Sequence, residues 1–494
     1  MLFNSLDFAV FLPIVFFIYW FAADKNLRLQ NLFVVIASCI FYGWWSRIFL
    51  ALMGVTTFCS WLSGVLILVI RRRGLGEQKE EKNSLLITAA NIILNLSILG
   101  VFKYYNFFIE SFTDAFAVFG KQLNVHTLKL ILPVGISFYT FQALSYTIDV
   151  YRKKIAPTKD ILSFFAFISF FPLLVAGPIE RATNLLWQFQ QKRIFDYAKA
   201  VDGLRQILWG LVKKIVIADN CAKTVNTIFD NSGDYSGSAL LLGAVFFAFQ
   251  IYGDFSGYSD IARGVAHLFG IDAMRNFNYP YFSRDIADFW RRWHISLSTW
   301  FRDYLYIPLG GSKGGKWMQV RNTLIIFLVS GFWHGANWTF IAWGAYHAVL
   351  FLPLLLTNTN RKNRDNIAEG RIFPSAKEAF QIVATFSLVV VGWVFFRADN
   401  FAHALDYLSN MFSMSLFSIP EFPNKKHAIK TLALVFSFVC AEWLGRNQQF
   451  ALERLGRLPS TLPIHVAKYA IYYGLIFLIL CFIGKEQTFI YFQF

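Results

Sequence analysis

The chain has 494 residues, of which 56% are hydrophobic and only 15% charged. Soluble domains carry about 25% charged residues, so a chain folded wholly in water is excluded. A formal net charge of +16 can signal nucleic acid, but here the basic residues sit in short clusters between apolar runs, the positive-inside pattern of a membrane protein. The expected partner is the lipid bilayer, with no nucleic acid.

In chain order, the first apolar run is Phe8 to Ala23, bounded by Asp7 and Asp24. With no Lys or Arg before it and no small-residue cleavage site after it, it is expected as a retained helix and not a signal peptide. Charge-free runs follow at Ile48 to Ile70, Asn83 to Phe102, Leu130 to Ile148, Ile161 to Ile179, Tyr235 to Gly253, Asn322 to Thr359 and Ala379 to Phe396. Shorter runs lie around Thr431 to Ala441 and at Tyr469 to Gly484, the latter between Lys468 and Lys485. A helix needs roughly 20 residues to cross a hydrocarbon core about 30 Å thick. About ten or more spans are therefore expected, in an all-α polytopic membrane protein with one membrane domain over residues 1–494.

Three basic clusters, Arg71 to Lys82, Arg152 to Lys154 and Arg361 to Arg371, are placed in the cytoplasm, which puts the N-terminus outside. Cys39, Cys59, Cys221, Cys440 and Cys481 lack the C-x-x-C spacing of a metal or redox site and are read as packing residues. No metal and no bound cofactor are expected.

Two segments depart from plain spans. In 196–219, Val201, Leu204, Leu208, Leu211 and Ile215 recur at three- and four-residue steps among Lys, Asp, Arg and Gln, the pattern of an amphipathic helix lying along the interface. Over 281–316, Phe289, Trp290, Trp293, Trp300 and Phe301 alternate with Arg284, Arg291, Arg292, His294 and Arg302. That mixture suits a helix or re-entrant element at the cytoplasmic interface, as anchor or as site. The turn Gly310-Gly311-Ser312-Lys313-Gly314-Gly315 lacks the spacing of a nucleotide-hydrolysing phosphate loop. With Arg291, Arg292, Arg302 and Lys313 nearby in sequence it can hold a donor's phosphates, although positive-inside anchoring accounts for the same residues.

Ionisable groups deep in a bilayer are costly and are functional candidates by default. His334 stands thirteen residues after Arg321, about 20 Å along a helix, and His347 is comparably deep. Gly331 and Gly335 flank His334 and permit close approach of a helix or ligand. An imidazole with an unperturbed pKa near 6.5 stays neutral in apolar surroundings and can take a proton from a hydroxyl. Depth alone leaves a packing residue and a catalyst both open.

The run Asp288-Phe289-Trp290-Arg291-Arg292-Trp293-His294 on to Trp300, then Asp303 to Gly311, then Phe332-Trp333-His334-Gly335, resembles the membrane-bound O-acyltransferase superfamily. The resemblance is closer to the bacterial branch containing the alginate O-acetylation and teichoic-acid D-alanylation membrane proteins. Leu132 to Gln142, Gly177 to Arg181, Tyr252 to Asp260 and the closing Phe489 to Phe494 extend it over nearly the whole chain.

The resemblance implies a ring of tilted helices with re-entrant and interfacial helices around a central tunnel, in a bacterial cytoplasmic (inner) membrane. It maps the principal catalytic histidine onto His334 and a second functional position onto His294. Trp333, Asn337 and His347 are expected as oxyanion donors or tunnel lining, and Arg291, Arg292, Arg302 and Lys313 as donor-binding residues. The implied donor is a cytoplasmic thioester, acetyl-CoA or an acyl carrier protein. The implied acceptor is an extracytoplasmic SGNH-type acetyltransferase or other serine-bearing protein, with a polysaccharide as final acceptor. A transporter or channel, or a non-catalytic scaffold for an extracytoplasmic acyltransferase, are the competing readings.

Overall fold

Lipid offers backbone groups no hydrogen-bonding partner, so a chain this apolar closes its N–H···O=C bonds within helices. The computed structural model describes all residues except 75, 121–126, 129, 176, 423, 460, 485–488 and 491–494. Lys485 and the closing Tyr491 to Phe494 of the resembling block thus lie outside the described residues. Among the described residues every regular element is helical, and seven helices are long and apolar enough to cross a membrane. Leu6–Ala22 and Leu27–Gly43 are shorter apolar helices. The contacts divide the chain into two compact units.

The first unit comprises residues 1–201 and 265–274. It contains α1 (Leu6–Phe17), α2 (Leu27–Gly43), α3 (Arg47–Arg72), α4 (Glu77–Leu99), α5 (Tyr105–Val118), α6 (Ile136–Tyr151) and α7 (Ile161–Ser169). Ser5, Asn26, Ser46 and Asp160 cap the starts of α1, α2, α3 and α7 by accepting backbone N–H groups of the first turn. Two expected spans are shorter than the charge-free runs that suggested them. The run from Leu130 yields helix only from Ile136, because Pro133 and the left-handed Gly135 precede it. The run from Ile161 gives a helix of nine residues followed by the separate turn Phe171–Leu174, with Pro172 at its second position. Both are buried within the unit, where Asn91 of α4 accepts from Thr147 of α6 at 3.0 Å and donates to Ser60 of α3 at 3.3 Å.

The second unit comprises residues 202–264 and 275–494. After α8 (Tyr197–Leu211), a widened helical stretch Val212–Ala218 leads into α9 (Asp219–Asp230) and then the 32-residue α10 (Gly237–Leu268). The charge-free run ends at Gly253, yet α10 continues through Asp254 and Asp260 because both are paired. Lys214 Nζ lies 2.9 Å from Asp254 and 2.8 Å from Asp219, and Lys213 Nζ lies 3.0 Å from Asp260 and 3.3 Å from Glu442. Tyr252 and Trp209 also donate to Glu442, at 2.5 and 3.0 Å. The polar face expected for 196–219 therefore includes two lysines that face inward, because carboxylates of the same unit neutralise them there.

Breaking a buried ion pair on one side leaves its partners charged and unsolvated. Lys213→Ala is accordingly expected to destabilise the protein by about 3–5 kcal/mol, read as a lower thermal midpoint in detergent; an unchanged midpoint would contradict the pairing.

The remaining helices are α11 (Ile286–Arg292), α12 (Ile295–Phe301), α13 (Lys316–His334), α14 (Trp338–Leu356), α15 (Ala376–Arg397), α16 (Phe401–Met411), α17 (Lys425–Gly445) and α18 (Leu462–Phe482). The apolar run Asn322 to Thr359 is two helices, α13 and α14, reversed at Gly335 to Asn337. They lie against each other because Gly331 faces the Phe340 carbonyl and Gly344 faces the Phe327 carbonyl so closely that a Cβ on either would overlap the backbone.

Candidate active site

Two helices of the second unit carry the chemistry. His334 is the last residue of α13, and His294 immediately precedes α12 in a left-handed conformation, φ 44° and ψ 54°. Their rings stand 6.3 Å apart, centroid to centroid, and are 3% and 1% exposed. Around His334 the rings of Trp333, Trp343 and Phe396 lie at 5.0, 5.1 and 5.3 Å. Phe255 and Trp333 flank His294 at 4.7 and 5.8 Å. Burial lowers the pKa of His294 to about 3, so its imidazole is neutral.

A cavity of about 660 Å3 approaches these rings. Gln319, Thr323, Ile326 and Ser330 form its stripe on α13, and the next residue of that stripe, one turn on, is His334. Ile295, Ser298, Thr299 and Arg302 form the matching stripe that starts beside His294. From Gln319 to His334 the helix rises roughly 22 Å. At the far end stand the guanidinium groups of Arg291, Arg302, Arg361 and Arg364, and no carboxylate lines the cavity among the described residues. The site is apolar next to the imidazoles and cationic at its other end.

The sequence-derived residues divide accordingly. Arg291 and Arg302 line the cavity. Arg292 does not: it is buried and bonds Asp288 at 2.8 Å and the carbonyls of Asn278 and Asp365, which commits its fork. Lys313 is exposed on the turn and is not part of the lining. Asn337 caps α14 by accepting from Thr339 N at 3.0 Å and donates to the Asp399 carbonyl at 2.9 Å, so its amide is engaged away from an oxyanion. Trp333 contacts both histidines.

His347 is fully buried behind Trp290, one ring beyond Trp343, at 5.1 Å from each; neither ring nitrogen has a hydrogen-bond partner among the described residues. Arg361 and Arg364 replace Arg292 and Lys313 at the cationic end. Their cluster was legible only as positive-inside charge, because the loop after α14 brings it back to the start of α13.

The family model for MBOAT, membrane-bound O-acyltransferase, matches residues 40–364. The chain is 38% identical to the protein named "Probable alginate O-acetylase AlgI" of Pseudomonas aeruginosa, over 91% of this chain and 82% of that one. It is 35% identical to the peptidoglycan O-acetyltransferase of Helicobacter pylori, over 85% and 81% of the two chains. It is also 30% identical to the teichoic acid D-alanyltransferase of Bacillus subtilis, over 56% and 71%. With two imidazoles 6.3 Å apart, next in the chain or one helical turn on from residues that line a cavity, in a multi-pass helical protein, the chain belongs to the membrane-bound O-acyltransferase family and is an acyltransferase of the membrane.

Proposed function

We propose that this chain moves an acetyl group from a cytoplasmic pantetheine thioester, acetyl-CoA or an acyl carrier protein, to a hydroxyl on the other side of a bacterial cytoplasmic membrane. The receiving hydroxyl belongs to an SGNH-type or other serine-bearing protein, and a polysaccharide is the final acceptor, in keeping with the polymers named for the relatives. The observation that carries this reading is the polarity of the cavity: four guanidinium groups stand at one end, and two imidazoles lie beyond the other end. Of the four, Arg302 pairs with Asp303 and Arg291 bonds the Asn360 and Asn363 carbonyls, while Arg361 and Arg364 have no ion pair among the described residues. Guanidinium forks suit phosphate, and a pantetheine arm is long enough to bring its thioester from there to His334.

His334 takes the hydroxyl proton as the oxygen attacks the thioester carbonyl carbon. The tetrahedral oxyanion is met by an indole N–H; Trp343 packs edge-on at 5.1 Å to His334, and its Nε1 has no hydrogen-bond partner among the described residues. The C–S bond then breaks, and the thiolate leaves with the proton held on His334. His294 orients the donor.

Inverted membrane vesicles containing the chain are the test, supplied with radiolabelled acetyl-CoA or acetylated acyl carrier protein on the outside. Base-labile label is expected on lumenal protein or polysaccharide. Free label in the lumen without an ester would mark a transporter, and no label from either donor would refute the reading. The double change Arg361→Gln with Arg364→Gln is expected to raise the donor KM about tenfold for each guanidinium withdrawn from the phosphates, with little change in kcat. Steady-state rates over donor concentration check this, and an unchanged KM would place the phosphates elsewhere.

A further inference from the structure

Asn276 lies eighteen residues before His294 in the chain and in none of the motifs singled out above. Its side-chain oxygen faces three donors or potential donors: Ser296 N at 3.3 Å, Ser296 Oγ at 2.9 Å and His294 Nδ1 at 3.1 Å. Its Nδ2 donates to Ser259 Oγ at 3.2 Å, and its backbone carbonyl accepts from Ile295 N at 2.9 Å. A backbone N–H only donates, so the atom facing Ser296 N is the amide oxygen, and an oxygen only accepts. Nδ1 of His294 must therefore carry the ring hydrogen. A neutral imidazole has a single ring hydrogen, which leaves a lone pair on Nε2, a buried atom with no hydrogen-bond partner among the described residues.

We infer that Asn276 is a positioning residue that fixes His294 as the Nδ1–H tautomer, making its Nε2 a hydrogen-bond acceptor at the thioester end of the cavity. The inference rests on the proposed reading that His294 meets the donor. It also sharpens that reading: a lone pair cannot stabilise an oxyanion, so Nε2 holds an N–H, and the amide N–H nearest the sulfur of a pantetheine arm is the group in reach. Of the rings facing His294, those of Phe255, Trp333 and His334, only that of His334 is ionisable. Burial keeps His294 itself neutral.

The test uses the full chain in detergent, with its eight histidines labelled by 15N and His294 assigned by difference from His294→Asn. Wild type is expected to show hydrogen on Nδ1 and none on Nε2. Asn276→Asp keeps the acceptor but adds a charge that favours imidazolium. It should raise the His294 titration toward the window of about pH 5–8 and add an acid limb to kcat/KM for label transfer from acetyl-CoA. Asn276→Leu removes the acceptor at similar volume and should lower kcat about 10²-fold, with the donor KM altered less than about threefold.

Hydrogen on Nε2 in wild type, or wild-type kcat in Asn276→Leu, overturns the inference. If Asn276→Leu does not accumulate, the wild-type spectrum and the Asn276→Asp profile decide. A wild type that carries hydrogen on Nδ1 yet transfers no label from either acetyl-CoA or acetylated acyl carrier protein would leave Asn276 in its role and refute the proposed donor.

Discussion

Replacing His334 with alanine is expected to lower acyl transfer by about 10²–10⁴-fold with normal amounts of protein in the membrane. The imidazole is the polar group that ends the α13 stripe, and the rings around it, Trp333, Trp343 and Phe396, bring a single N–H donor type and no proton acceptor. The one other basic nitrogen beside it, Nε2 of His294, is committed to the donor in the proposed reading. Because alanine also leaves a void, His334→Gln, which fills more of the space, separates lost chemistry from lost packing and should be similarly inactive. The donor KM should hold in both variants, since Arg361 and Arg364 follow α14, at the opposite end of the helix pair from His334. Initial rates of label transfer with protein level measured in parallel decide it, and near-wild-type turnover by either variant would remove His334 from the reaction.

The next largest effect is expected at Gly344, where valine should prevent the protein from assembling. A Cβ there overlaps the Phe327 carbonyl, and one at Gly331 overlaps the Phe340 carbonyl. Both obstacles are backbone, so no side-chain rotation relieves them and α13 must part from α14. Overpacking of this kind costs several kcal/mol, about 4 or more where backbone must move. Gly344→Ala is expected to fold with a reduced thermal midpoint and to lose about 10²-fold in kcat, because a shift near 1 Å at His334 is enough to spoil attack geometry. Size-exclusion profiles and thermal midpoints read the first effect, and rates the second. A monodisperse, fully active Gly344→Val would show that the two helices do not depend on this close approach.

Composition and run length were sufficient for the all-helical membrane class, because lipid forces backbone bonding inside helices whatever the side chains are. They were insufficient where polar groups pair. Asp254 and Asp260 ended a run in sequence but not the helix, since Lys213 and Lys214 neutralise them from a segment about forty residues upstream. A charge-free run also says nothing of proline or a left-handed glycine at its start, which is why 130–148 and 161–179 give shorter helices than expected.

The two histidines were legible through their motifs, and the structure brings them together. Arginines were harder. Arg291 and Arg292 are adjacent and both approach Asp288, but only Arg291 lines the cavity, while Arg292 is buried. Arg361 and Arg364 join the cavity only through the return of the chain after α14. Asn337 looked like a free amide because its cap becomes visible only once α14 is known to begin there. Asn276 had no signal at all: its significance is a hydrogen bond across eighteen residues of chain.

The left-handed backbone at His294 also decides which amino acids can ever stand there. Outside glycine, that region of conformational space is tolerated best by asparagine, aspartate and histidine, while β-branched and bulky residues are driven out of it. A saturation library at this position should therefore be filtered twice, first by backbone and then by chemistry. Residues that survive the first filter with a side-chain hydrogen-bond acceptor form a very short alphabet, which makes position 294 far less free to drift than its burial alone would suggest.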